Sequence, residues 1–562
     1  MTEQTNGAAS GRGPATVRQA TMELFRSHGL TTWFGNPGST ELTLLQDFPD
    51  DFRYFLGLQE MIPVGMADGF AQITRRPAIV NVHTAAGLGN AMGAIYNAAW
   101  NKTPLVITAG NQRRRMQNQV TLLTNADAAL VPRPFIKWSA EPAIASEVPA
   151  VLARAIHIAQ TPPMGPVFVS LPMDDMAVEL DDTQLADIDV VRTRRVTVAT
   201  EFPATSAGEI AGRLAAAKAP ALVVGGDVER AGALDAVVTL AERTRAAVWS
   251  APFPGLSGFP ENHPLYQGLL PPGAGWISEE LAGHDLVLVL GAPAFRYYPY
   301  VPGPYLPEGA SLIHITSDPD EAARAPVGEA FIADVRSAAH ALLDHVVPSD
   351  RPAPPVRPEP VAPGETPTPL DDSALYALLN RAAPADTLWV TESGSGETLI
   401  GRQIRAGAPF SHLSAAGAAL GFGLPAAVGA QLAAPDRPVA GLMGDGSMHY
   451  AITALWTAAT YRIPLTIVVS SNAEYGILKQ FGAYEHSAGV PGLDLPGLDI
   501  VGTAASYGVQ AYEAHDSEEV VELFRSGIEQ HDRPTLINVP VNRVTLPAAR
   551  GAAKPGFTLS GR

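Results

Sequence analysis

Short apolar runs alternate along this chain with segments of helical period. Val17, Leu24 and Phe25 fall on one face of a helix that Gly29 would cap. Candidate strands follow at 31–34, 78–82, 104–108 and 167–171. A second series lies at 221–225, 246–249, 286–290, 312–315 and 331–333. A third lies at 387–391, 439–443, 465–469 and 536–539. These runs are β-branched-rich and apolar on both faces. That pattern predicts parallel sheets covered by helices on each side.

Two breaks divide the series. One is a loosely patterned stretch from about 181 to 204. The other, "PSDRPAPPVRPEPVAPGETPTP", is too rich in proline for a helix or a central strand and predicts an extended surface linker. The reading is three α/β domains, each with a doubly wound parallel sheet. Their expected bounds are 1–190, 191–347 and 371–562, with the linker at 348–370. No short-period repeat is visible. The run "LSAAGAALGFGLPAAVGAQLAA" has the length of a membrane span, but it is mostly Ala and Gly with Pro425 inside it. It predicts a buried, tightly packed loop and helix.

Composition narrows the function. The 562 residues exceed one hydrophobic core, so several domains are expected. The formal net charge of −18 argues against nucleic acid or an anionic membrane as partner. With no cysteine, disulfides, thiolate catalysis and Cys-ligated zinc are excluded. The polar N-terminus has no apolar signal core, and a cytoplasmic location is the expectation.

Against that acidic background, "GLMGDGSMHYAITALW" places a carboxylate between two glycines at a strand end. Ligands of open α/β sheets lie beyond the carboxyl ends of strands. Gly444, Gly446 and Ser447 can approach and cradle a phosphate. Asp445 would repel it unless a hard cation lies between them. The next strand ends in "SSNAEYG", where Asn472 offers an amide oxygen and Glu474 a loop carbonyl. Asp445, Asn472 and Glu474 are therefore the candidate ligands of Mg²⁺, or of Ca²⁺ or Mn²⁺, bridging to a diphosphate. A lone GDG is otherwise only a turn.

GDG followed some thirty residues later by an asparagine resembles the thiamine-diphosphate enzymes; their usual NN is Ser471-Asn472 here. The resemblance spans nearly the whole chain and implies the rest of the cofactor site. Glu60, in "FRYFLGLQEMIPVGMADGFAQ", is in the place of the family's glutamate, which bonds the aminopyrimidine ring. Leu420 is in the place of the apolar side chain over which the cofactor bends. The Ala418 carbonyl would receive the exocyclic amine, and Ser395 and Tyr475 are further cofactor contacts. The resemblance also implies active sites between two subunits, in a dimer or a dimer of dimers.

Within that family, "WFGNPGSTELTLLQDFPDDFRYFLGLQE", "NVHTAAGLGNAMGAIYNAAWNKTPLVITAGNQ" and "LLTNADAALVPRPFIKWSAEP" look like the benzoylformate decarboxylases. The likeness implies that Ser39 contacts the substrate carboxylate and His83 relays protons. Without it, Ser39 reads as a turn or helix-cap residue and His83 as a satisfied buried histidine. Leu123, Tyr298, Ile477, Leu478 and Phe481 complete the implied substrate pocket.

Several positions depart from the family pattern. Tyr298, in "FRYYPY", replaces a second catalytic histidine, and a phenol of pKa ~10 is a poorer shuttle at neutral pH. Ile477 replaces a small alanine and is expected to narrow the pocket. Ser414 replaces a pocket phenylalanine. Gly394 and Glu397, in "ESGSGE", replace threonines. The implied activity is decarboxylation of a 2-oxo acid to an aldehyde and CO₂. The alternative is a carboligase or aldehyde lyase acting on 2-hydroxy ketones with the same cofactor. A flavin-linked synthase is a third reading, with "LVVGGDVERAGAL" as a possible nucleotide turn, and a non-catalytic relative a fourth.

Overall fold

The computed structural model describes residues 15–198, 200–360, 369–487 and 489–543. The chain builds three six-stranded sheets, parallel throughout. In the N-terminal sheet the order is Arg53–Leu56, Thr32–Asn36, Ala78–Val82, Leu105–Asn111, Val167–Pro172 and Trp138–Ala140. In the C-terminal sheet it is His412–Ser414, Leu388–Glu392, Val439–Gly444, Thr466–Ser471, Thr535–Pro540 and Gln510–Glu513. Numbered within each sheet, both read 2-1-3-4-6-5. Each therefore has its switch point between its first and third strands, where a crevice opens beyond the carboxyl ends. The middle sheet runs Tyr266–Leu269, Ala247–Ser250, Pro220–Val224, Leu286–Leu290, Ser311–Thr316 and Glu329–Ile332, or 3-2-1-4-5-6.

The apolar runs form the inner strands because both faces are covered. Ile79, Val80, Ile107 and Val169 are fully buried, as are Leu288, Val289, Ile467 and Val469. The strands that the pattern did not predict are Arg53–Leu56, Trp138–Ala140, Tyr266–Leu269, His412–Ser414 and Gln510–Glu513, all sheet edges, and a short antiparallel pair of Ala15–Thr16 with Glu179–Leu180. An edge strand is short and half solvated, so its sequence carries little apolar signal. The stretch near 181–204 also holds a helix, Asp182–Thr193, started by a capping box of Asp181 and Gln184.

The Gly/Ala-rich run forms the expected loop and helix, Gly423–Ala433, preceded by an edge strand that was not expected. That helix packs on Met61–Thr74 of the N-terminal part at backbone-contact distance. A Cβ at Gly429 would lie 1.9 Å from the Met66 carbonyl oxygen, and one at Gly69 2.2 Å from that of Ala426. Glycine is required at this crossing because no side chain fits. The proline-rich stretch is free of helix and strand over its described part, and Arg351 and Arg357 tie it down through carbonyls of Leu214 and Gly401. Residues 361–368 lie outside the described residues. No helix among the described residues is long and apolar enough to cross a membrane.

Candidate active site

The C-terminal switch point gathers one half of the candidate residues. The strand Val439–Gly444 feeds the short helix Asp445–Tyr450. Asp445 is 3 % exposed and lies at the helix start. Its Oδ1 accepts from the Gly446 N–H at 2.7 Å and its Oδ2 from the Ala473 N–H at 2.7 Å. Burial pushes its pKa up, because no cation faces it: Asp445 has no ion pair among the described residues. A buried carboxylate without a countercharge fits a divalent cation.

Asn472 lies buried beyond the neighbouring strand, and its Oδ1 accepts from the Glu474 N–H at 3.1 Å. The Glu474 carboxylate is committed to Lys479. Its backbone carbonyl is the candidate metal ligand. Ser395, Leu420, Gly444, Gly446, Ser447, Tyr475 and Ile477 line the same cavity as Asp445, Asn472 and Glu474. A Cβ at Gly446 would sit 2.6 Å from the Tyr475 ring, so only glycine leaves this wall undisturbed.

The loop before Leu420 is held from two sides. Asn97 donates to the Ala419 carbonyl at 2.7 Å and accepts its N–H at 3.2 Å. Ala418 is left-handed at φ 54°, a conformation alanine adopts only when its surroundings impose it. Glu392, which the sequence did not single out, accepts the N–H groups of Gly421 (2.7 Å) and Gly423. Burial pushes its pKa up to about 7.

The N-terminal switch point gathers the other half. Ser39, Glu60 and His83 follow three adjacent strands, Thr32–Asn36, Arg53–Leu56 and Ala78–Val82. Glu60 is 8 % exposed at the N-cap of the helix Met61–Thr74. Its Oε2 accepts from Asn90 at 3.0 Å, and a Cβ at Gly87 would lie 2.8 Å from its Oε1. Ser39 is exposed and caps no helix: the helix Leu42–Leu45 has Glu41 at its N-cap.

His83 has a partner that sequence reasoning missed. Its Nδ1 lies 2.7 Å from Oε2 of Glu41, a carboxylate 1 % exposed. Glu41 also accepts from Gly38 N–H (2.9 Å), Gly110 N–H (2.6 Å) and the Thr40 hydroxyl (2.9 Å). The bond fixes Nδ1 as the donor and leaves Nε2 to exchange a proton. The only available signal was its place two residues after Ser39.

The remaining pocket residues are divided. Tyr298 packs against Phe481 with ring centroids 5.0 Å apart, and Leu478 is 46 % exposed beside them on the helix Gly476–Tyr484. Ile477 fills space above Gly394, where a Cβ would lie 3.0 Å from its Cγ2. The two positions that depart from the family pattern, Gly394 and Ile477, therefore face each other. Ser414 does not open onto this wall. It lines a separate small cavity with Glu261, Glu397 and His412. Leu123 is left-handed at φ 68° and 42 % exposed. Glu60, Ser39, His83 and Leu123 line neither the cavity of Asp445 nor that of Tyr298.

The possible nucleotide turn of the middle part is filled by protein. Lys102 reaches Asp227 at 2.7 Å and Glu321 at 3.0 Å, and Arg230 holds the other oxygen of Asp227 at 2.6 Å. A Cβ at Gly225 would collide with Ala292 at 2.7 Å. This crevice has no open space for a pyrophosphate.

Comparison with known proteins agrees with this geometry. Residues 15–130, 207–342 and 394–539 match, in order, the N-terminal TPP-binding, central and C-terminal TPP-binding domains of thiamine pyrophosphate enzymes. The chain is 46 % identical to benzoylformate decarboxylase of Pseudomonas aeruginosa, over 94 % of this chain and 99 % of that one. It superposes with a TM-score of 0.91 on a 4-hydroxybenzoylformate decarboxylase of Rhodococcus jostii RHA1, 45 % identical, covering 94 % and 100 % of the two chains. The benzoylformate decarboxylase of Polynucleobacter necessarius gives 0.91 at 39 % identity, covering 95 % and 100 %. The chain belongs to the thiamine-diphosphate-dependent 2-oxo acid decarboxylase family.

Proposed function

We propose that the enzyme decarboxylates an aryl 2-oxo acid of the benzoylformate type, at sites shared between two copies of the chain. The observation that carries the reading is the division of the site. Asp445, Asn472 and Leu420 lie at one switch point, while Glu60, Ser39 and His83 lie at the other and share no cavity with them. Two chains, each facing the other's complementary half, would close it.

In this reading Asp445, Asn472 and the Glu474 carbonyl hold the metal, and Ser395, Gly446 and Ser447 contact the diphosphate. When bound, thiamine diphosphate would supply the nucleophilic carbon and the electron sink for the pair left behind as CO₂ departs. Glu60 exchanges a proton with the aminopyrimidine. Ser39 donates to the substrate carboxylate and fixes its orientation. His83, aligned by Glu41, carries protons through Nε2. The Tyr298–Phe481 pair and Ile477 bound the space for the side chain.

The test supplies purified protein with thiamine diphosphate and Mg²⁺. It offers benzoylformate beside aliphatic and branched 2-oxo acids, and follows CO₂ and carbonyl products together. Stoichiometric benzaldehyde is the expected result. Turnover of aliphatic acids alone would overturn the aryl reading. Tyr298 in the histidine place favours a second outcome, a slower product-forming protonation that lets a second aldehyde compete. Accumulation of 2-hydroxy ketones would reveal it.

Two predictions arise here. Glu41→Gln should lower kcat on the order of 10²-fold, the usual worth of a positioned proton carrier, with little change in KM. Steady-state kinetics on the assembled enzyme check it. Gly394→Thr should lower kcat/KM for the aryl acid, and Gly394→Thr/Ile477→Ala should recover it. The double-mutant cycle should show a coupling of about 0.5–3 kcal/mol, as contacting side chains do; additive effects would sever the pair.

A further inference from the structure

A buried chain of ionisable groups crosses from the middle sheet to the diphosphate loop. His412 opens the edge strand His412–Ser414, and its side chain is 12 % exposed. Its Nδ1 lies 2.8 Å from Oε1 of Glu261, which belongs to the middle part and is itself 5 % exposed. Its Nε2 lies 3.4 Å from the Thr391 hydroxyl. That hydroxyl donates its single proton to Oε1 of Glu397 at 3.0 Å. With Glu397 ionised, Thr391 is left to accept from Nε2–H while Nδ1–H serves Glu261, and both ring nitrogens donate, the imidazolium form; with Glu397 protonated, the hydroxyl is free to donate to a neutral ring.

The far end of the chain is the loop that would meet the diphosphate. The Glu397 N–H donates to the Ser393 carbonyl at 2.7 Å, closing the turn Ser393-Gly394-Ser395-Gly396. The near end is fixed too. The Glu261 N–H donates to the Ala406 carbonyl at 2.8 Å, and Oε2 of Glu261 accepts the Ala406 N–H at 3.2 Å. Between the ends lies a cavity of about 20 Å³, walled by Pro254, Leu256 and Leu269 as well as by Glu261, Glu397 and His412. It is large enough for one water.

We propose that Glu261, His412, Thr391 and Glu397 form a positioning relay that holds the diphosphate loop from the middle domain and makes retention of thiamine diphosphate depend on pH. The relay acts through Ser393 and Ser395 and touches no reacting atom. The proposal rests on the cofactor assignment and not on the identity of the oxo acid.

The direction follows from the groups that face one another. Burial works against a charged His412, but Glu261, Glu397 and Glu229 outweigh it and its pKa is raised. Burial raises Glu397 despite His412 and Thr391, and it pushes Glu229 up to about 7. Glu229 is 3 % exposed with Oε2 unpartnered. On the surrounding elements, Arg230 and Arg437 act on Glu229, Tyr266 on Glu261, Glu392 on Glu397, and Arg357 and Arg405 on Tyr266.

A group raised in the fold contributes fully below its unfolded value and loses that contribution as pH climbs through its folded value. For the histidine the loss begins above its ordinary range, as the cation disappears. For the two glutamates it runs from the ordinary carboxylate range up to the raised values, as buried anions appear. All three changes loosen the relay as pH rises.

The test measures cofactor loss from the holoenzyme by rapid gel filtration, with retained thiamine diphosphate quantified as thiochrome. Measurements at about pH 6 and about pH 8.5 bracket the ordinary imidazole range. Wild type should release cofactor faster at the higher pH. His412→Gln should release it faster than wild type at the lower pH and with a smaller ratio between the two, since only the glutamates still titrate. Glu397→Gln, an isosteric change that keeps the test open should His412→Gln not fold, should also narrow the ratio, since the anion that appears there with rising pH is gone. An equal wild-type rate at the two pH values, or a wild-type ratio in either variant, overturns the proposal.

Discussion

Replacing Glu60 with Gln is expected to lower kcat by about 10²–10⁴-fold, the range that a positioned acid–base group supplies. Thiamine diphosphate should remain bound. The substitution changes chemistry and spares shape. Gln matches Glu in volume, and its amide oxygen can still accept from Asn90, the contact Glu60 makes at 3.0 Å. The helix Met61–Thr74 keeps its N-cap geometry, because Glu60 makes no side-chain cap bond there. What is lost is the ability of Oε1 or Oε2 to exchange a proton. Gly87 leaves room for this carboxyl, since a Cβ there would lie 2.8 Å from Oε1. The check is kcat measured beside retained cofactor. A fall of less than about tenfold, with cofactor in place, would remove Glu60 from the proton-exchange role.

Glu60 was reached through the family resemblance, because the motif around it, "FRYFLGLQEMIPVGMADGFAQ", is contiguous in sequence. Gly444-Asp445-Gly446 and Asn472 were legible from the residues themselves, each at the end of a strongly apolar inner strand. Glu41, Glu392 and Glu397 were harder to read for one shared reason. A glutamate announces nothing until its burial and partners are known, and those come from distant segments. Glu41 gains meaning from His83 and Gly110, Glu392 from Gly421 and Gly423, and Glu397 from His412 and Glu261. What Ile477 does to the pocket is likewise set by a distant segment, since Gly394 stands opposite it. The edge strands were invisible because half-solvated strands of three or four residues carry neither the length nor the apolarity of inner ones.

Asp445→Asn should separate the metal site from the fold. In wild type without cofactor, burial raises the Asp445 pKa, so the ionised group opposes folding near neutral pH. A raised carboxylate contributes stability below the unfolded value and loses it as pH climbs through the folded one. Asparagine carries no charge to bury and can still accept from Gly446 and Ala473 N–H. The apo variant should therefore melt at or above the apo wild type near neutral pH, and the difference should vanish in acid. With thiamine diphosphate and Mg²⁺ the order should reverse. Wild type gains about 2.7 kcal/mol when ligand stands at 100 times its Kd. The variant should gain almost nothing, because an anionic metal ligand is gone, and even outer-shell losses cost about 10–100-fold in affinity. Activity should fall by at least that factor. Melting with and without cofactor reads both arms. An apo variant less stable than apo wild type would mean that Asp445 is a structural turn residue, while an unchanged holo shift would mean that the diphosphate is held without it.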